Sequence, residues 1–233
     1  MKPQIVLAVT DQEKNSAIAK HKVDMLELRV DLLKKLNADY AVQVIKERRK
    51  LRLPILLTIR NQKKEGAKAN FSDDTKWRLF QALMPLCTWV DIELSSPILA
   101  QSTALARKLK KKVVISAHDF KGMPAHPEIL MKKALSLPGR QAGARADMFK
   151  IAALAKGPQD LIKMMEFTER HAKQPVVTMC MGPLGGLSRL LLPSVGSRWV
   201  FTFLNKPTAP GQIDVKTLKN ALRLYHPLVF LKR

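Results

Sequence analysis

The regular alternation of strand-like and helix-like segments restricts the fold of this chain more than any other feature. Eight short apolar runs have the length and the flanking Gly, Pro and charged residues of strands, and a segment with helical periodicity follows each run. The predicted strands are residues 5–9, 25–30, 55–60, 89–94, 113–118, 146–152, 176–181 and 199–203. The predicted helices are residues 11–20, 32–50, 73–87, 96–110, 127–137, 158–172, 187–193 and 215–225.

A repeated strand–helix unit with right-handed crossovers builds a parallel sheet with helices outside it. Eight such units in 233 residues predict an α/β fold, a single (β/α)8 TIM barrel that forms one domain over residues 1–233. An open, doubly wound sheet is the alternative. It is disfavoured because no Gly-x-Gly-x-x-Gly motif follows the first predicted strand.

Charged and polar residues collect at the C-terminal ends of the predicted strands. In a barrel these ends meet at one mouth, where the active sites of this fold lie. The residues are Glu27, Arg29 and Asp31 on the second strand, Arg60 on the third, Ser116, His118 and Asp119 on the fifth and Lys150 on the sixth. Buried charges need partners or a ligand of opposite charge. The pattern therefore predicts an active site at this mouth.

Lys150 is the candidate nucleophile of that site. Alternation along its strand places it on one face with Ala146, Met148 and Ala152. A buried ammonium group has to be paired or to have a lowered pKa, and a neutral lysine attacks a ketone or an aldehyde to form a Schiff base. The alternative is a strand-end lysine that reaches water. The other charged strand ends favour the nucleophile.

The neighbouring strand ends supply candidates for the other roles. His118 is the candidate proton carrier, because imidazole titrates near neutral pH. Arg60 suits a planar anionic or polyhydroxylated partner. Two interpretations of Glu27 and Arg29 stay open: a structural pair inside the barrel, or direct contacts with a substrate. Asp31 is interpreted as structural.

The formal net charge of +22 is unusual and comes from clusters such as residues 46–50 and 107–112. Such an excess is typical of nucleic-acid-binding proteins. These clusters, however, lie on predicted helix surfaces just before strands, with no exposed aromatic residues between them. We therefore interpret them as a solvated basic outer face that also attracts an anionic substrate, and we expect no nucleic-acid partner.

The cysteines and the hydropathy pattern bear on the compartment. Cys87 and Cys180 lie in apolar surroundings without metal-ligand spacing, which predicts buried, reduced thiols and no metal site. The N-terminal apolar run is too short for a signal peptide, and no stretch reaches transmembrane length. We expect a cytoplasmic protein without membrane contact.

A series of short motifs lies at these strand ends and loops. They are Glu-Leu-Arg-Val-Asp at 27–31, Thr-Ile-Arg at 58–60, Glu-Gly at 65–66, Ser-Ala-His-Asp-Phe at 116–120, Ala-Asp at 146–147, Lys-Ile-Ala at 150–152, Met-Cys-Met-Gly at 179–182, Ser-Arg at 188–189 and Ala-Pro-Gly-Gln at 209–212. In this order and over nearly its whole length, the chain resembles the type I 3-dehydroquinate dehydratases of the shikimate pathway.

The resemblance implies a (β/α)8 barrel that converts 3-dehydroquinate to 3-dehydroshikimate and water by syn elimination. The reaction passes through an imine and needs no metal or dissociable cofactor. By position, Lys150 corresponds to the lysine that forms the Schiff base and His118 to the general acid and base. Glu65 corresponds to the carboxylate that orients this histidine, and Arg189 to the residue that binds the substrate carboxylate. The implied partners are the small anionic substrate and a second copy of the chain in a homodimer.

The remaining matched positions are implied to hold the substrate. Glu27, Arg29 and Arg60 correspond to positions that bind the ring hydroxyls or support the residues that do. Thr208 and Gln212 correspond to a mobile loop that closes over the substrate. Two positions depart from the family pattern: Ala67, where a glycine is frequent, and Thr208, where a serine is common. Because Thr208 keeps the hydroxyl, we expect tuning and no loss of activity.

Two other functions are kept as alternatives. A different class I lysine aldolase uses the same imine chemistry on a phosphosugar. A basic nucleic-acid-binding protein on a barrel scaffold is the alternative from another class, and its binding would depend steeply on salt.

Overall fold

A computed structural model of the chain describes residues 2–60, 70–136 and 146–226. Within these ranges eight parallel strands form one sheet in the order β7-β6-β5-β4-β3-β2-β1-β8. The strands are β1 (Gln4–Val9), β2 (Met25–Arg29), β3 (Ile55–Thr58), β4 (Trp89–Glu93), β5 (Lys112–Asp119), β6 (Met148–Leu154), β7 (Val176–Met181) and β8 (Trp199–Phe203). The predicted strands are thus confirmed within a few residues.

A helix follows each strand in the described part of the chain. These helices are α1 (Asn15–Ala19), α2 (Ala38–Arg49), α3 (Asp73–Leu83), α4 (Leu99–Lys108), α5 (Pro127–Leu135), α6 (Pro158–Arg170), α7 (Gly185–Leu191) and α8 (Val215–Tyr225). Short 3-10 helices cover Val30–Leu32, Met84–Leu86 and Leu192–Val195. No helix among the described residues is long and apolar enough to cross a membrane.

The sheet closes between β7 and β8. The backbone N–H of Arg198 donates to the carbonyl of Val176 at 3.0 Å. The hydroxyl of Ser197 accepts from the N–H of Thr178 at 3.0 Å and donates to the carbonyl of the same residue at 3.2 Å. A serine side chain thus supplies part of the pairing across this seam, and the predicted barrel is confirmed.

Two apolar layers follow from the alternation of side chains along the strands. An inner cluster fills the barrel and includes Val6, Leu56, Val114, Met148 and Phe201. A larger outer cluster lies between the sheet and the helices. Met148 and Ala152 belong to the inner cluster while Phe149 and Ile151 belong to the outer one, so the predicted inward face of β6 is confirmed at these positions. The prediction was wrong for Ala146, which belongs to the outer cluster because it precedes the first residue of β6.

Local capping decides where several helices begin. The side chain of Ser72 accepts from the N–H of Thr75 at 3.1 Å, so α3 begins at the predicted residue. The second helix was predicted from residue 32 but begins at Ala38, because Asn37 caps it by accepting from Tyr40 N–H at 2.9 Å. The prediction of one domain over residues 1–233 reaches beyond the described ranges and stays a prediction.

Candidate active site

Lys150 lies on β6 inside the barrel and is buried, with 4% of its surface exposed. Its Nζ is 3.1 Å from Oδ2 of Asp91 and 3.6 Å from Oε1 of Glu27. The same nitrogen lies 4.3 Å from the ring centroid of Phe201. The lysine therefore does not reach bulk water, and the alternative of a snorkelling strand-end lysine is wrong.

Asp91 on β4 connects the lysine to Arg60. Its Oδ2 accepts from Nη2 of Arg60 at 2.6 Å, and its Oδ1 accepts from the hydroxyl of Ser116. Burial raises the pKa of Asp91, but the positive charges of Arg60 and Lys150 outweigh burial and hold this pKa well below its ordinary value. The carboxylate therefore stays anionic beside the lysine.

His118 on β5 is engaged by a second acid of β4. Its Nδ1 is hydrogen-bonded to Oε1 of Glu93, which also accepts from Nη1 of Arg60 at 3.0 Å. Burial lowers the pKa of His118 and so does the charge of Arg60, while Glu93 opposes both; the net pKa lies below the usual 6.5. The imidazole is thus neutral near pH 7, and no hydrogen bond joins its Nε2 to another residue in the described ranges.

Glu27 and Arg29, both on β2, have different partners. Glu27 accepts from the hydroxyl of Thr58 at 3.0 Å and faces Lys150. Arg29 pairs with Asp31 through two hydrogen bonds of 3.0 and 2.7 Å. Glu27 and Arg29 therefore do not form a structural pair with each other. The structural interpretation of Asp31 fits this pairing.

Arg189 on α7 is buried, and no carboxylate among the described residues is paired with it. Its Nη1 donates to the carbonyls of Cys180, Gly185 and Gly211 at 3.1, 2.8 and 2.8 Å. Its Nε and Nη2 are buried without a hydrogen-bond partner, and burial lowers its pKa to about 10. Two nitrogens of a charged guanidinium are thus buried and unsatisfied, which is costly unless a ligand binds them.

The loop after β8 forms one wall of the site. Oε1 of Gln212 accepts from the N–H and the hydroxyl of Thr208 at 2.7 and 3.1 Å, and the carbonyl of Thr208 accepts from Arg29 at 3.1 Å. A Cβ at Gly185 would lie 2.8 Å from the Cα of Gly211, so glycine is needed where this loop packs against α7. Arg189 also supports this loop, because its Nη1 donates to the carbonyl of Gly211.

These side chains line one cavity at the barrel mouth. The lining includes Glu27, Arg29, Arg60, His118, Phe120, Lys150, Met179, Met181, Arg189, Phe201, Thr208 and Gln212. A sequence model of the family described as type I 3-dehydroquinase matches residues 6–229. The chain belongs to this family.

Curated relatives agree with this assignment to the type I 3-dehydroquinase family. The catabolic 3-dehydroquinate dehydratase of Acinetobacter baylyi is 32% identical over 227 residues, which cover 94% of this chain and 79% of that protein. The 3-dehydroquinate dehydratase of Methanocella arvoryzae is 31% identical over 222 residues, which cover 95% of this chain and 96% of the relative.

A solved structure of the family has the same fold. The type I 3-dehydroquinate dehydratase of Clostridium difficile, described as containing covalently modified comenic acid, superposes with a TM-score of 0.81 at 27% identity. The superposition covers 97% of this chain and 93% of that one.

The structure brings eight of the nine residues expected from the family resemblance to this cavity. Glu65, the ninth, lies outside the described residues, as does Ala67, so the expected contact of Glu65 with His118 stays a prediction.

Among the described residues no group of His, Cys, Asp and Glu side chains could hold a metal ion.

Asp91 and Glu93 are the functional candidates that sequence reasoning missed. Both lie on β4, whose inward face reads Trp89, Asp91, Glu93. Two acids at alternate positions of a predicted strand, at its C-terminal end, were the available signal.

Proposed function

We propose that this chain is a 3-dehydroquinate dehydratase and that Lys150 forms a covalent imine with the substrate ketone. One observation carries the proposal: the buried amine of Lys150 shares a cavity with the unsatisfied N–H groups of Arg189. The first group can capture a carbonyl carbon and the second can hold a carboxylate. The 3-dehydroquinate named for the relatives carries both functional groups.

Substrate binding is assigned to three parts of the cavity. Arg189 binds the substrate carboxylate through Nε and Nη2, because a guanidinium edge matches the two oxygens of a carboxylate. Glu27 accepts a hydrogen bond from a ring hydroxyl. Thr208 and Gln212 belong to the loop that closes the site, and Arg29 fixes that loop by its bond to the Thr208 carbonyl.

Arg60 has a supporting role in this proposal. Its guanidinium already donates to Asp91, Glu93 and Ser116, at 2.6, 3.0 and 3.0 Å. It therefore fixes the two acids that contact the amine and the imidazole, and its charge helps to keep both acids ionised.

Imine formation begins with loss of a proton from the Lys150 ammonium. Neutral His118 accepts it, because Asp91 is too weak a base at its lowered pKa. The free amine then adds to the C3 ketone. The imidazolium of His118 returns the proton to the carbinolamine hydroxyl, which leaves as water to give an iminium ion and a neutral His118. The iminium nitrogen is the Nζ of Lys150, so the carboxylates of Asp91 and Glu27 that faced the ammonium now stabilise the iminium cation.

Elimination follows from the electron demand of the iminium. His118 takes a proton from C2, and the electron pair of that C–H bond moves toward the iminium nitrogen. The same imidazolium protonates the C1 hydroxyl, which leaves as water when the C1–C2 double bond forms. Because one group handles both protons, they lie on one face of the ring, consistent with syn elimination. Hydrolysis of the iminium releases 3-dehydroshikimate and restores Lys150.

No metal or dissociable cofactor is required by this scheme, because the iminium is the electron sink and the imidazole carries the protons. Operation in the shikimate pathway, a cytoplasmic location and a homodimer stay predictions.

Turnover tests the proposal directly. Purified protein mixed with 3-dehydroquinate is expected to produce the ultraviolet absorbance of a conjugated enone, and Lys150→Met is expected to abolish it with the fold retained. Lys156→Met, at an exposed lysine just beyond β6, is the matched control and keeps the activity. Full activity of Lys150→Met would contradict the proposal. Cleavage of a phosphosugar, without enone formation, would favour the aldolase.

A further inference from the structure

The end of the barrel opposite the active site carries a concentration of unpaired positive charge. Helices run toward this end, and the loops that lead into the next strands lie there. Seven exposed basic residues occupy the C-terminal turns of α1, α2 and α4 or the following loops: Lys20, Lys22, Lys46, Arg49, Arg52, Lys108 and Lys110. We call them the basic arc. None of the seven forms an ion pair with a residue in the described ranges.

The acids near this arc are already engaged. Asp24 accepts from the N–H of Ile5 at 2.8 Å. Glu47 pairs with Lys50 at 2.6 Å and accepts from the amide of Asn15 at 3.0 Å. The seven basic groups outnumber these two acids, so the arc keeps a net positive charge.

The backbone conformation supplies an independent observation. Three described residues other than glycine have a positive φ: Lys22 at 43°, Arg52 at 56° and Lys110 at 54°. All three follow a helix end, and glycine is the residue that adopts the left-handed conformation there at the lowest conformational free energy. All three are basic, and all three belong to the arc.

The positions of Lys22, Arg52 and Lys110 distinguish a binding role from two simpler explanations of the basic residues. Basic residues in a last helical turn stabilise the helix dipole, which accounts for Lys46, Arg49 and Lys108. A general need for surface charge is met at any exposed position. Neither explanation accounts for three long basic side chains at backbone positions that disfavour side chains. Strain retained at a defined site points to function.

We propose that the basic arc binds the phosphodiester backbone of a nucleic acid without reading its bases. Ammonium and guanidinium groups along a rim fit a linear chain of phosphates. The helices and loops that carry the arc have no exposed aromatic residue to stack on bases, so sequence preference is not expected. They also have no large exposed apolar residue to enter a bilayer, which disfavours a membrane as partner.

The proposal revises the expectation of a merely solvated basic face. The sequence shows the basic clusters but not the left-handed backbone at Lys22, Arg52 and Lys110. Because the arc and the catalytic cavity lie at opposite ends of the barrel, nucleic-acid binding and turnover are separable.

The test uses the full chain and a fluorescein-labelled oligothymidylate, with binding followed by anisotropy over a range of salt concentrations. The triple variant Lys22→Gly, Arg52→Gly and Lys110→Gly removes three charges and relieves three strained residues. We expect its affinity to fall by about tenfold or more and its log–log salt slope to fall by about 2, since each phosphate contact on a single strand contributes about 0.7. We expect the Tm of this variant to equal or exceed that of the unaltered protein, and its turnover of 3-dehydroquinate to be unchanged.

The matched control removes three exposed lysines from the opposite end of the barrel, by Lys34→Gln, Lys35→Gln and Lys121→Gln. This variant is expected to keep most of the affinity. Equal losses in both variants would overturn the proposal, since net charge alone would then explain binding. Absence of binding by the unaltered chain at low salt would overturn it as well.

Two further arms complete the test. Tighter binding to phosphatidylserine vesicles or to polyglutamate than to the oligonucleotide would overturn the choice of partner. If the glycine variant fails to fold, Lys46→Gln, Arg49→Gln and Lys108→Gln test the same arc at helical positions. Unchanged affinity in that variant would then contradict the proposal, and a loss of about tenfold would support it.

Discussion

The carboxylate of Asp91 lies 3.1 Å from the amine of Lys150, and both side chains are buried. The same Oδ2 lies 2.6 Å from Nη2 of Arg60, so the aspartate is held between two cations. The two cations hold the pKa of the Asp91 carboxyl well below its ordinary value, so the carboxylate is ionised near neutral pH. Asp91 is therefore suited to stabilise a cation on the lysine nitrogen and unsuited to remove protons.

Asp91→Asn tests that electrostatic role. The substitution keeps the shape but removes the charge that faces the iminium, so we expect kcat to fall by about a hundredfold or more. Stability is expected to fall by about 1–3 kcal/mol, because Arg60 loses one buried anionic partner and keeps Glu93. Steady-state kinetics and urea unfolding measure the two effects.

Asp74→Asn is the matched control for this substitution. Asp74 pairs with Arg78 at 3.0 Å on the surface of α3, where exposed ion pairs contribute little. Both kcat and the free energy of unfolding should stay within error of the unaltered protein. An Asp91→Asn enzyme that matches this control would exclude a role for the aspartate charge.

Glu93→Gln is expected to change the pH profile as well as the rate. Glu93 is the group that raises the pKa of His118 against burial and Arg60. Removing its charge lowers that pKa further, so the imidazole stays neutral to lower pH and the acidic limb of kcat moves to lower pH. The rate at the optimum falls, because the imidazolium formed during turnover loses its counter-charge. Imidazole titration by NMR checks the direction, and an upward shift would contradict the assignment.

Arg189→Lys separates binding from chemistry. Lysine keeps the charge but cannot present two N–H groups in one plane to a carboxylate. Loss of one charge-assisted hydrogen bond costs about 1.5–3 kcal/mol, which corresponds to an increase in KM of about tenfold to hundredfold. We expect kcat to change less than KM. A larger effect on kcat with an unchanged KM would place the substrate carboxylate elsewhere.

The two cysteines are expected to be unreactive in the folded protein. Burial raises the pKa of the Cys87 thiol to about 12 and that of Cys180 to about 11. Because the thiolate is the reactive form, a disulfide reagent near pH 8 should modify neither thiol until the chain unfolds. Fast modification of the native enzyme would show that one of them is accessible.

Sequence periodicity was sufficient to predict the barrel. The strands are short and apolar, and each is bounded by Gly, Pro or charged residues, so their limits were predicted within a few residues. Helix starts were predicted less well, since they depend on individual caps. Asn37 begins α2 several residues later than periodicity alone suggests, because its side chain bonds to Tyr40 N–H.

Which strand ends contribute to the site was predictable in part. Lys150 and His118 carry groups whose chemistry is informative on its own. Asp91 and Glu93 were missed because acids near a strand end are common, and only the folded barrel shows that they contact the amine and the imidazole. The pairing of Arg29 with Asp31 was also missed, since β2 ends there in a short 3-10 turn that brings them together.

Covalent trapping on Lys150 tests the central claim most directly. The protein is incubated with 3-dehydroquinate and sodium borohydride, digested with a protease and analysed by peptide mass spectrometry. We predict a reduced adduct on the peptide that contains Lys150, and no adduct in Lys150→Met. Robust turnover without any adduct on this lysine, or an adduct on another lysine with Lys150→Met still active, would contradict the account.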